Sequence, residues 1–143
     1  SEIMRLGGLV VEAVSSSVID ESFTVTGEIP SVYKNEPMPE QALVIRGSRG
    51  ISVLTGCSHP GIITMVKRAR EIYPHDPLDL VMGGFHLMNS DEEQIGNIVL
   101  AMKDLGVRRV APTHCTGDAA ISAFRNAYRD DFIPVAAGSI VEV

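Results

Sequence analysis

Three of the chain's four histidines stand just past an expected strand and among glycines, in Gly56-Cys57-Ser58-His59-Pro60-Gly61, Gly83-Gly84-Phe85-His86 and Thr113-His114-Cys115-Thr116-Gly117. Both cysteines, Cys57 and Cys115, lie inside these motifs. Imidazole and thiolate are preferred ligands of zinc and of several other divalent metals, and flanking glycines let the backbone approach a ligand closely. In an open α/β sheet the carboxyl ends of the strands line the binding crevice, so residues just past different strands meet on one edge. Taken singly, each histidine reads better as a satisfied structural residue; together with the cysteines they point to a shared site. Cys57 stands evenly between ligand and packing. Cys115 reads as a small, soft side chain packed under the loops, with His114 facing outward. His75, between Pro74 and Asp76-Pro77, reads as a solvated turn residue. Gly83-Gly84 and Gly117-Asp118 offer N–H groups to an anion, and tight turns explain them equally well.

The elements that must carry these motifs follow from periodicity. Leu6–Val14 and Val18–Val25 are β-branched and partly alternating, which predicts two strands joined near Ser15-Ser16-Ser17. Pro30 to Pro39 reads as one long irregular connection. Residues 42–45 and 51–54 read as a hairpin turned by Gly47 and Gly50. From Leu54 strand and helix alternate, as in a layered α/β sheet. Ile62, Ile63, Val66, Ala69 and Ile72 recur at helical spacing before Pro74, and Leu78 to Met82 is the next strand. Ser90 with Glu93 makes a capping box for a helix whose stripe is Ile95, Ile98, Val99, Met102 and Leu105 and whose stop is Gly106. Arg109 to Pro112 reads as a strand, Asp118 to Tyr128 as a helix, and Pro134-Val135 with Ile140 to Val143 as closing strand pieces.

At 143 residues, with 45% hydrophobic and 21% charged residues, the chain has the size and composition of a single globular domain spanning 1–143. Twelve basic against eighteen acidic residues leave a net charge of −6 without a clustered positive face, which argues against nucleic acid as a partner. The longest apolar runs are strand-sized, so no membrane span is expected. Two cysteines are too few for a secreted disulfide framework, and a cytoplasmic location is expected. The start, Ser1-Glu2-Ile3-Met4, reads as trimmed from something longer.

Leu54-Thr55-Gly56-Cys57-Ser58-His59-Pro60-Gly61-Ile62, Gly83-Gly84-Phe85-His86-Leu87 and Pro112-Thr113-His114-Cys115-Thr116-Gly117 resemble the metallo-β-lactamase superfamily. Within it they resemble the dihydropterin ribofuranosylaminobenzene phosphate synthase-like branch of metal-dependent hydrolases. Thr26-Gly27-Glu28-Ile29-Pro30 and Gln41-Ala42-Leu43 also fit that branch, so the resemblance covers nearly the whole chain. It implies a four-layer αβ/βα sandwich, with metal ions at the edge between two pseudo-symmetric halves and hydrolysis by a metal-activated water. By the same resemblance His59 falls where a later metal ligand is brought in, His114 matches the last metal-binding histidine, and His86 matches a branch-specific histidine near the site. The superfamily's leading HxHxDH motif is absent from the sequence.

The expectation is therefore the C-terminal half of a metallo-β-lactamase-type αβ/βα sandwich, a mixed sheet with helices on one face. His59 and His114 are expected as ligands of a divalent metal, zinc with manganese or iron as alternatives, and His86 and Cys57 as catalytic neighbours. The expected activity is hydrolysis of an ester, phosphoester or cyclic amide, with a pterin-type substrate implied by the resemblance alone. Expected partners are a small-molecule substrate and either the missing N-terminal half or a second copy of the chain. Two other readings stay open: a noncatalytic binding or assembly module that keeps the half-fold, and a thiol-based redox protein using Cys57 and Cys115, which no C-x-x-C motif supports.

Overall fold

A computed structural model describes residues 2–143. A short helix, α1 (Glu2–Arg5), is followed by residues 6–14 in irregular form rather than in the expected strand. Leu6, Leu9 and Val11 are 72%, 88% and 77% exposed. The physical reason is that β-branched residues favour strands through packing on a neighbouring strand, and among the described residues this stretch pairs with none, although the Val14 carbonyl accepts the Glu28 N–H at 3.0 Å.

The second expected strand is itself a small hairpin, β1 (Ser17–Val18) against β2 (Phe23–Val25). Its turn is built by Asp20, whose carboxylate accepts the backbone N–H groups of Ser22 and Phe23 at 2.8 and 3.0 Å. The connection from Pro30 to Pro39 is also more regular than expected. It holds a hairpin, β3 (Val32–Tyr33) and β4 (Glu36–Pro37), whose corner residues Lys34 and Asn35 take φ of 51° and 64°. An isolated bridge between Ile29 and Glu40 closes its base.

The main sheet has six strands in the order β1-β2-β5-β6-β7-β8, with β5 (Leu43–Gly47), β6 (Gly50–Leu54), β7 (Leu78–Gly84) and β8 (Arg109–Thr113). Pairing is antiparallel as far as β6 and parallel from β6 through β7 to β8. Helices α2 (Ile62–Ile72), α3 (Glu92–Asp104) and α4 (Asp118–Tyr128) supply the crossovers and the end of the layer. Alternate strand residues Val44, Val53, Val81 and Val110 share one core with Met65, Val66, Ile95, Met102 and Phe124 of those helices. The mixed sheet with helices on one face is thus as expected.

Helix α3 starts one residue later than expected. Asp91, not Ser90, is the N-cap, and it exchanges hydrogen bonds with Gln94 at 2.8 and 3.2 Å. Both pairs satisfy the capping-box spacing, and Ser90 is instead spent in a turn, its N–H donating to Leu87. The closing strand pieces do not form; residues 134–143 are irregular and only Phe132 bridges β8. That tail is tied down at the edge away from the glycine loops, where Arg49 and Arg109 donate to the Glu142 carbonyl at 2.7 and 3.0 Å. Both guanidinium groups also bond the buried carboxylate of Asp79. No helix of the described residues is long and apolar enough to cross a membrane.

Candidate metal centre

Because β6, β7 and β8 run parallel, the segments that follow them leave from the same edge of the sheet. They are stitched together by hydrogen bonds. Ser58 Oγ donates to the Gly84 carbonyl at 2.7 Å, Gly84 N–H to Gly56 at 2.9 Å, and Phe85 N–H to Thr116 Oγ1 at 3.2 Å. These glycine-loop N–H groups are therefore satisfied internally, and Gly84 is explained by close approach rather than by anion binding. A Cβ on Gly84 would lie 2.5 Å from Cys115 Sγ and 2.7 Å from both His114 Cε1 and the Gly56 carbonyl oxygen. Ser58 and His86 hold φ of 61° and 52°, a conformation that L side chains rarely adopt and that clusters at functional sites.

The expected site residues fall into two adjoining groups. In the first, the His59 ring packs at a tilt against Tyr33 and edge-on against His86, with centroids 4.3 and 4.5 Å away. Its Nδ1 bonds the Glu40 carboxylate, which also accepts the backbone N–H of Ser58 at 2.8 Å and of His59 at 3.2 Å. Among the described residues, no hydrogen-bond partner reaches the buried His86 Nδ1. Burial, and then the neighbouring His59, hold the His86 imidazole below its ordinary pKa against an opposing pull from Glu40.

In the second group Cys57 Sγ lies 3.2 Å from His114 Nε2, while Thr113 Oγ1 lies 3.1 Å from His114 Nδ1. Cys115 Sγ sits 3.6 Å from the Cys57 carbonyl oxygen. One ligand atom each from Cys57, His114 and Cys115 lie within 4.8 Å of one another. Partial burial, then Cys115 and Glu40, push the Cys57 thiol up. No hydrogen bond joins His59 to His114 among the described residues. His75 is exposed in its turn, as expected.

Glu40 and Tyr33 are the contributors that sequence reasoning missed. Neither belongs to a periodic pattern, and both reach the edge only through the β3–β4 hairpin and the Ile29–Glu40 bridge. The donors present suit a divalent metal of borderline softness, because imidazole nitrogen and thiol sulfur predominate and a carboxylate orients one ring.

No protein-family model matches the chain. Over 103 residues it is 39% identical to the 7,8-dihydropterin-6-methyl-4-(β-D-ribofuranosyl)-aminobenzene-5′-phosphate synthase of Methanocaldococcus jannaschii, covering 72% of this chain and 35% of that protein. An uncharacterised protein of the same organism is 31% identical over 118 residues, covering 73% of this chain and 44% of its own length. The crystal structure of a metal-dependent hydrolase of the β-lactamase superfamily matches with a TM-score of 0.76 and 30% identity, over 95% of this chain and 58% of that one. The chain thus spans 35% to 58% of the length of these relatives. By sequence and by fold, it belongs to the metallo-β-lactamase superfamily over the part of those proteins that it spans.

Proposed function

We propose that the chain is the C-terminal part of a metal-dependent hydrolase that cleaves an ester, phosphoester or cyclic amide, with His59 and His114 as metal ligands. The observation that carries this reading is that both rings have Nδ1 engaged, by Glu40 and by Thr113. In the tautomer that donates Nδ1–H to that oxygen, Nε2 carries the lone pair that a metal would take, at His114 in place of its 3.2 Å contact with Cys57 Sγ, the usual arrangement of a ligand histidine and its orienting partner. A divalent ion held by His59 and His114, zinc in this reading, would supply a bound water of near-neutral pKa and would polarise the scissile group. His86, whose pKa burial and the neighbouring His59 lower, packs edge-on against His59 and is the residue this reading assigns to take or return a proton. Cys57 lines the same edge beside His114. The pterin-type substrate is supported only by the synthase relative.

A catalytic zinc takes about three protein ligands and an open position, and in this reading the remaining ligands come from a half carrying HxHxDH. The test is to assay phosphodiester and lactone hydrolysis with Zn²⁺ or Mn²⁺, by the chain alone and by the chain combined with a superfamily N-terminal half. Turnover only in the combined protein, abolished by His114→Ala, is expected. A combined protein that is inert, or as active with His114→Ala, overturns the reading.

A further inference from the structure

We propose that Cys57, Cys115 and His114 form a thiolate-rich metal site that this chain can load by itself, sharing His114 with the histidine pair of the hydrolase reading and taking its other donors from the two cysteines. The donor atoms already lie within 4.8 Å of one another, with Cys57 Sγ and His114 Nε2 at 3.2 Å. Around a tetrahedral zinc, with Zn–S of about 2.3 Å and Zn–N of about 2.0 Å, donor atoms stand roughly 3.5–3.8 Å apart. Shifts of an ångström or less therefore close the site. Thr113 at His114 Nδ1 turns Nε2 toward the sulfurs, the orientation a ligand imidazole needs.

The surroundings are shaped around this cluster. Position 84 passes so close to Cys115 Sγ and His114 Cε1 that only a residue without Cβ lets them meet. Both cysteines are half-buried whereas His114 is exposed, so an ion can enter from solvent and keep a fourth position for water. Two thiolates and one neutral imidazole neutralise a divalent charge, with the two thiol protons released to solvent as the ion binds. Such a donor set selects Zn²⁺, Co²⁺ and Cd²⁺ over Mn²⁺ and Mg²⁺. His59 is not among the three donors that lie within 4.8 Å of one another.

The experiment titrates Co²⁺ into the reduced, metal-free chain and follows absorption without any substrate. A sulfur-to-cobalt charge-transfer band in the near ultraviolet, saturating at a single equivalent and displaced by Zn²⁺, is expected. Cys57→Ser and Cys115→Ser should each weaken the band and lower affinity on the order of tenfold or more, whereas His75→Ala, in an exposed turn, should keep it. In the wild-type chain, where folding is not in question, Zn²⁺ should also slow alkylation of both thiols. Absence of the band, a band undiminished in the double serine variant, loss of it in His75→Ala, or thiols alkylated equally fast with Zn²⁺ would overturn the proposal. Failure of hydrolysis in the combined protein leaves these readouts unaffected, so the two readings fail separately.

Discussion

Glu40 grips His59 twice, its carboxylate accepting the residue's backbone N–H at 3.2 Å and bonding the ring Nδ1 as well. With the Ser58 N–H also on this carboxylate, one side chain sets both the path of the loop and the orientation of the imidazole. Glu40→Ala strands these part-buried donors and should destabilise the chain by about 1–3 kcal/mol, whereas Glu40→Gln, which keeps an acceptor oxygen, should lose less. Urea unfolding measures the first effect, and imidazole nitrogen NMR measures the loss of the fixed His59 tautomer. An alanine variant as stable as the parent, with unchanged ring shifts, would show that Glu40 does not position His59.

Asp79 should make the fold sensitive to acid. Burial alone would raise its pKa, yet Arg109 and Arg49 outweigh that and hold the carboxyl below its ordinary value. Just below the ordinary carboxylate range the unfolded chain therefore binds more protons than the native one. Stability is fully present above that range and is lost as pH falls through the folded-state value. Asp79→Asn leaves Arg109 facing no charge and should cost about 3–5 kcal/mol at neutral pH. The gap between parent and variant should narrow as pH drops from about 4. A gap that stays constant with pH contradicts this account.

Two glycines should respond oppositely to alanine. At Gly84 the new Cβ meets sulfur, ring carbon and carbonyl oxygen at 2.5–2.7 Å, and such overpacking costs about 1–3 kcal/mol while pushing Cys115 and His114 apart. At Gly96, within α3, nothing lies within 4 Å of an added Cβ, and alanine should stabilise by about 0.5–1 kcal/mol. Melting temperatures of the two variants decide the matter, and a tolerated Gly84→Ala would refute the crowding argument.

The chain should also associate. Leu6, Leu9, Val11, Val14, Val18 and Ile19 are each more than 60% exposed, and on the sheet face away from the helices Leu43, Ile45, Leu54 and Met82 are only half-buried. Bare apolar surface forgoes about 25 cal/mol per Å², and patches beyond a few hundred Å² are uncommon on monomers. Sedimentation at micromolar concentration should reveal a dimer, or a complex when an HxHxDH-bearing half is supplied. A 15.4 kDa monomer that binds no hydrophobic dye would defeat this expectation.

Local pattern determined much of this protein. The β5–β6 hairpin, the helices α2, α3 and α4 and the strands between them follow from periodicity and from glycine and proline stops, because hydrogen bonds and side-chain spacing act over a few residues. Their alternation is enough to place His59, His86 and His114 past parallel strands on one edge. The tertiary structure decided how that edge is divided. Which histidine meets Glu40, and which meets Cys57 and Cys115, depends on loop hydrogen bonds between segments far apart in the chain, such as Ser58 with Gly84 and Phe85 with Thr116. The same holds for Leu6–Val14, whose alternation reads as a strand. A strand needs a partner edge, and only the folded chain reveals that β1 occupies the place beside β2.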